Sequence, residues 1–129
     1  MRYSSNAIFR YRGWDRRFHK QEKGYVGFVN DHHLIPLQHR NHNLLKKIDY
    51  DIHGNFNLLI MPTKTALTKF FLHPDIYFHH NHPKYNKYVK RELDNIERKS
   101  KTNDEREYNL WLFVHYIRKS IICRENIPW

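Results

Sequence analysis

The sequence predicts an α+β fold, and three observations point to it. Residues 25–35 and 58–61 are two short runs of β-type composition, each closed by a proline. Residues 83–97 and 104–122 repeat apolar side chains at helical spacing. The chain has 129 residues and no internal repeat or low-complexity linker, so a single domain with one modest core is expected over residues 1–129.

Taken in order, residues 1–24 form a polar, basic arm with no clear period, and no element is predicted there. Tyr25-Val26-Gly27-Phe28-Val29 reads as extended and leads into Asp31-His32-His33, with Leu34 and Ile35 also extended until Pro36. Residues 40–48 fit a short helix burying Leu44, Leu45 and Ile48. Residues 49–55 are turn-rich. Leu58–Met61 is a second strand, closed by Pro62. Thr63 or Thr65 can cap a helix carrying Leu67, Phe70 and Phe71. Pro83 suits the first turn of the next helix, with Asn81 or His82 at its cap. Tyr85, Tyr88, Val89, Leu93 and Ile96 then share one face. The last helix, residues 104–122, carries a stripe of Leu110, Val114, Ile117 and Ile121 and has acids in its first turn.

Charge narrows the function. The net charge is +10. Residues 1–24 hold seven Arg and Lys against two acids, and residues 63–100 hold eight against four, while residues 25–62 balance at three against three. Tyr3, Phe9, Tyr11, Trp14 and Phe18 are interleaved with the first basic block, a mix suited to phosphate contact and base stacking. The expected partner is nucleic acid, DNA before RNA, held by Arg10, Arg12, Arg16, Arg17, Lys84, Lys87, Lys90 and Arg91. The single cysteine, Cys123, excludes an internal disulfide and any cysteine-based zinc finger. No apolar run reaches membrane-spanning length, and Met1–Asn6 does not open a signal peptide, so an intracellular protein is expected and no membrane partner.

Histidine supplies the chemistry. Asp31-His32-His33-Leu34-Ile35-Pro36 places an adjacent pair in an extended segment, and His79-His80-Asn81-His82-Pro83 places a cluster where a helix begins. Cutting a phosphodiester needs a base for the attacking water, which neutral imidazole provides near pH 7. It also needs positive charge at the departing oxygen, which a divalent ion provides. Consecutive strand residues point to opposite faces, so one of His32 and His33 can bind an ion while the other works as base beside it. His19, His39, His42, His53, His73 and His115 are expected to be surface, capping or core residues.

These motifs, with Asn57-Leu58-Leu59-Ile60-Met61-Pro62 between them and His82-Pro83-Lys84-Tyr85-Asn86 after, resemble the AHH branch of the HNH nucleases, the ββα-metal or His-Me finger superfamily. The resemblance covers about residues 25–97. It implies a ββα-metal centre wrapped by additional helices, a metal-dependent endonuclease of low sequence specificity, and one divalent ion (Mg, Mn, Zn or Ni). By that resemblance His32 and His82 are metal ligands and His33 is the general base. Asn57 is the middle asparagine of the catalytic set, bracing the loop after the dyad. Domains of this kind often end larger toxins, which makes an inhibitory immunity protein a further expected partner.

Two positions depart from the family pattern. Asp31 replaces the usual Ala and offers an extra ligand or an acceptor that orients an imidazole. Phe78 stands where the family spacing would put a histidine. His79 pairs with His82 if a helical turn extends back through Asn81. His80 competes if the helix starts only at Pro83, and Asn86 is a further candidate. The altered spacing favours an alternative of another class, a non-catalytic nucleic-acid-binding or packaging protein with a structural metal on the same fold.

Overall fold

Val29–His33 (β1) and Leu58–Pro62 (β2) pair as an antiparallel two-stranded sheet, in register from Val29 opposite Pro62 to His33 opposite Leu58. The computed structural model describes residues 9, 11, 13, 15–79 and 81–129. Around the sheet lie α1 (Arg16–Glu22), α2 (Asn43–Lys47), α3 (Ala66–Lys69), α4 (Pro83–Lys99) and α5 (Asn103–Ile122), so the fold is mixed α+β.

Each face of the sheet has its own core. Leu59 and Met61 pack with Leu44 and Leu45 of α2, with Tyr85, Val89, Leu93 and Ile96 of α4, and with Leu110, Val114, Ile117 and Ile121 of α5. Val29 and Ile60 pack on the other side with Phe9, Ala66, Leu72 and Ile76. The rings of Tyr25, Phe28 and Phe70 flank this second cluster, and Phe70 meets Phe9, Tyr25 and Phe28 edge-on, 5.3–5.6 Å between centroids. Burying a large apolar side chain contributes roughly 1.5–3 kcal/mol, so the larger cluster dominates the stability of the fold.

Local signals set the helix ends. Pro83 occupies the first turn of α4, where its missing N–H costs nothing. Thr102 caps α5 by accepting from the Glu105 N–H at 3.1 Å, and the Glu105 carboxylate reaches back to the Lys101 N–H at 2.6 Å. His42 Nδ1 accepts from the Leu44 N–H at 3.1 Å to cap α2, and its Nε2 lies 2.7 Å from Asp94 of α4. Lys47 and Glu97 form a second tie between the same helices. The Arg118 guanidinium donates to the carbonyls of Phe56 and Leu58, fastening α5 to the start of β2.

Several sequence expectations are corrected. Residues 26–28 form a turn and Tyr25 joins no strand, because Gly27 adopts φ of +86°, which breaks an extended run. The N-terminal segment contains the unpredicted helix α1, capped by the Asp15 carboxylate accepting from Phe18 N–H at 3.0 Å. The helix after β2 is a single turn, and neither Thr63 nor Thr65 caps it with its side chain. Phe71 leaves that turn with φ of +56° and is exposed. Arg10 and Arg12, and most of the N-terminal half of the basic arm, lie outside the described residues.

Candidate active site

The strand delivers its two histidines to different surroundings. His32 is 1 % exposed. Its ring centroid lies 5.1 Å from that of His82, 6.0 Å from His79, 5.2 Å from Tyr85 and 5.3 Å from Trp129. One ring nitrogen each from His32, His79 and His82 falls within 4.8 Å of the other two.

Each of the two partners arrives by a different local device. His82 sits at the N-cap position of α4 but does not cap it with its side chain. Its Nδ1 instead lies 3.1 Å from Asn86 Oδ1, one helical turn on. An amide oxygen only accepts, so Nδ1 carries the proton and Nε2 carries the lone pair. Asn86 therefore orients His82. His79 lies in a non-helical segment, and its N–H donates to the Pro62 carbonyl at the end of β2 at 2.7 Å. The expected helical turn back through Asn81 does not form, since α4 begins at Pro83, yet His79 still reaches the group. His80 lies outside the described residues.

Burial pushes the His32 pKa well below its ordinary value, and the neighbouring imidazoles of His82, His79 and His33 push it the same way. His32 is therefore held neutral. Its Nε2 is buried and meets no hydrogen-bond partner among the described residues, a cost of about 1–3 kcal/mol unless a bound group satisfies it. A neutral imidazole with an unsatisfied buried nitrogen, grouped with two more imidazoles, fits a divalent metal ion. The C-terminal segment closes over this group. The Tyr77 hydroxyl donates to the Glu125 carbonyl at 2.7 Å and accepts from the Ile127 N–H at 3.1 Å, and the Trp129 ring then lies 4.9 Å from that of His82.

His33 is half-buried, and its Nε2 lies 3.4 Å from Nδ1 of His53. Burial lowers its pKa and His53 adds to that, while Asp31 opposes it. His53 is presented by a turn in which its N–H bonds Asp51 Oδ1 at 3.2 Å. A Cβ at Gly54 would meet Asp51 Oδ2 at 2.8 Å, so a side chain there would displace the carboxylate that holds this turn. Sequence reasoning set His53 aside as a surface, capping or core residue. Only the turn signature Asp51-Ile52-His53-Gly54 just before Asn57 could have hinted at it. Asp31 is not grouped with the three histidines. Arg16 and Lys20 each contact its Oδ1 at 3.0 Å. Burial raises its pKa, but these bonds outweigh that and hold it below the usual carboxylate range. Asp31 thus anchors α1 to the sheet.

Asn57 is fully buried and stitches the inter-strand loop together. Its Oδ1 accepts from the Ile35 N–H and the Tyr50 hydroxyl, each at 2.8 Å. Its Nδ2 donates to the carbonyls of Ile52 at 2.8 Å and Ile35 at 3.1 Å. The Tyr85 hydroxyl donates to the Leu34 carbonyl, joining the same loop to α4. Asn57 cannot touch a substrate, so it acts by holding the residues that follow the dyad.

Of the expected phosphate-binding cations, Arg17, Lys84, Lys87, Lys90 and Arg91 are exposed, while Arg16 is engaged by Asp31. Lys90 bonds Asp94 at 3.0 Å and the Arg91 guanidinium lies 5.6 Å from the Tyr88 ring centroid. Lys84 and Lys87 follow His82 in the first turns of α4 and make no ion pair among the described residues. His19, His39, His73 and His115 stay outside the group, His19 stacked on Tyr11 and His115 on Trp111. No helix among the described residues is long and apolar enough to cross a membrane.

A family model described as a nuclease family of the HNH/ENDO VII superfamily with conserved AHH matches residues 18–120, about four-fifths of the chain. The chain belongs to this AHH nuclease family. No characterised protein and no solved structure gives a significant match.

Proposed function

We propose that the chain is a metal-dependent endonuclease with a ββα-metal centre, hydrolysing DNA, with RNA the alternative substrate, at low sequence specificity. The observation that carries this reading is the approach of His32, His79 and His82 to within 4.8 Å of one another, one residue along the strand from His33. His32, His79 and His82 would hold the ion, and an all-imidazole donor set suits Zn or Ni better than Mg or Mn. When bound, a divalent ion supplies Lewis acidity toward the phosphoryl oxygen and charge compensation at the departing one.

The protein supplies the rest. His33, kept neutral by partial burial and by His53, accepts the proton of the attacking water. The family resemblance implies 5′-phosphate and 3′-hydroxyl ends. His53 holds the His33 ring in one orientation, and Asn57 fixes the loop that leaves the dyad. Lys84, Lys87, Lys90, Arg91 and Arg17 hold the nucleic-acid backbone, and contacts to phosphate carry no sequence information, which fits low sequence specificity. The grouping of His79 with His32 and His82, despite Phe78 standing at the family's histidine position, supports the catalytic reading over the non-catalytic one.

The test is nicking of supercoiled plasmid by chelator-treated protein resupplied with Mg²⁺, Mn²⁺, Ni²⁺ or Zn²⁺. Cleavage with at least one ion, abolished by chelation, is expected. Tight plasmid binding with no nicking under any ion would establish the binding-protein alternative instead. Toxicity on expression, relieved by a neighbouring gene product, is the mark of a toxin role.

A further inference from the structure

Helix α5 is apolar on two sides. Its inner stripe, Leu110, Val114, Ile117 and Ile121, fills the larger core. Its outer side also carries large apolar groups: Tyr108 is 61 % exposed, Trp111 47 %, Leu112 43 % and Tyr116 50 %. Asp104, Tyr108, Trp111, Leu112, His115 and Lys119 fall within one quarter to one third of the helix circumference, about 100° per residue. Trp111 and His115 already stack at 5.2 Å between centroids, with planes 9° apart, which makes a flat surface at the middle of the stripe. A solvent-facing helix side of this kind marks a contact site.

The order of residues on the stripe identifies the occupant. Asp104 stands at its N-terminal end and Lys119 at its C-terminal end, and neither makes an ion pair among the described residues. Reversing the helix about the midpoint between Trp111 and Leu112 sets Asp104 opposite Lys119, Tyr108 opposite His115, and Trp111 opposite Leu112. All three pairings are complementary, one ionic, one aromatic and one apolar. That self-matching pattern is what a two-fold, isologous interface requires.

We propose that the outer face of α5 is a homodimer interface, in which two copies of this chain pack α5 against α5 antiparallel. Trp111 and Leu112 form its centre, where an aromatic anchor contributes most, and the Asp104–Lys119 pairs close its two ends. The dyad repeats every contact twice. Each copy carries a net charge of +10, so the pairing works against long-range repulsion and gives a dissociation constant in the micromolar range, about 1–50 µM.

Sedimentation equilibrium of the full chain in about 0.15 M salt tests this by charge reversal. Wild type is expected to dimerise reversibly. Asp104→Lys and Lys119→Asp should each raise the dissociation constant about tenfold, because two attractions become two repulsions. The double variant Asp104→Lys with Lys119→Asp should return to within about threefold of wild type. Leu112→Glu, which sets like charges near the dyad, should be monomeric, and circular dichroism checks that all four variants stay folded. A wild type that remains monomeric at about 200 µM overturns the proposal. So does a double variant that is no better than the worse single one. A monomeric wild type whose DNA affinity falls on Trp111→Ala would assign the stripe to nucleic acid, and the dimer would again be refuted.

Discussion

His32 and His33 are neighbours in sequence and opposites in environment. One sits 1 % exposed in a box of two imidazoles, a phenol and an indole. The other is half-buried and touches His53 from a surface turn. Strand alternation alone separates them. The buried side offers, at His32, a lone pair that burial keeps unprotonated, which is what a metal needs. The open side offers an imidazole that water can reach, which is what proton transfer needs. A single dipeptide supplies both because the sheet that carries it is packed unequally on its two faces.

Four experiments would break or sharpen this contrast, beginning with the largest expected effect. His32→Ala and His82→Ala should each abolish metal binding and reduce cleavage to background, whereas His79→Ala should weaken both. Calorimetric metal titration beside a nicking assay measures this, and undiminished binding in His32→Ala would remove the buried box from the mechanism. His33→Ala should lower the cleavage rate about 10²–10⁴-fold with metal affinity near wild type. A lost binding isotherm in that variant would mean the two neighbours have exchanged roles.

Asn57→Ala should disturb both sides together. It removes four hydrogen bonds from a fully buried joint and should cost about 2–4 kcal/mol, read from urea unfolding. A loss under about 1 kcal/mol would show that the loop holds without it. His53→Ala is the smallest change and should slow cleavage about tenfold with metal affinity intact, and His53→Asn should recover part of the rate. Equal losses for the two substitutions would assign His53 a packing role and no orienting one.

The helical half of the fold was legible because its signals are periodic. Tyr85, Val89, Leu93 and Ile96 are buried on α4 as the spacing predicts, and Leu110, Val114, Ile117 and Ile121 do the same on α5. The β2 run at residues 58–62 was legible from its apolar burst and closing proline. Tyr25 and Phe28 misled because aromatic residues serve both strands and edge-on packing, and here they pack beside Phe70 from a turn. Helix α1 was hidden because it buries no residue and so writes no stripe. The dyad and His82 were legible as motif residues, and the structure brings His32 and His82 together. His79 comes near His32 and His82 without the helical turn that the sequence suggested. A backbone bond to Pro62 carries it into the group, and hydrogen bonds between distant carbonyls and amides leave no trace in residue type. His53 was invisible for a similar reason, since it meets a partner twenty positions away through a loop that only tertiary contacts fold.

The joint at Asn57 also has a kinetic consequence. Leu34 N–H donates to the Asn57 carbonyl and Ile35 N–H to its side chain, both at 2.8 Å, at the point where β2 begins. Closing the long connection and setting the strand register are therefore one event. The entropy of loop closure is lost once, at about (3/2)RT ln n for n residues, rather than separately for loop and sheet. Amide exchange at Leu34 and Ile35, although neither lies in a strand, should be as slow as at the centre of β2. Any excursion that frees them would misalign His32 and His33 in the same instant, so the two halves of the centre would fail and recover together.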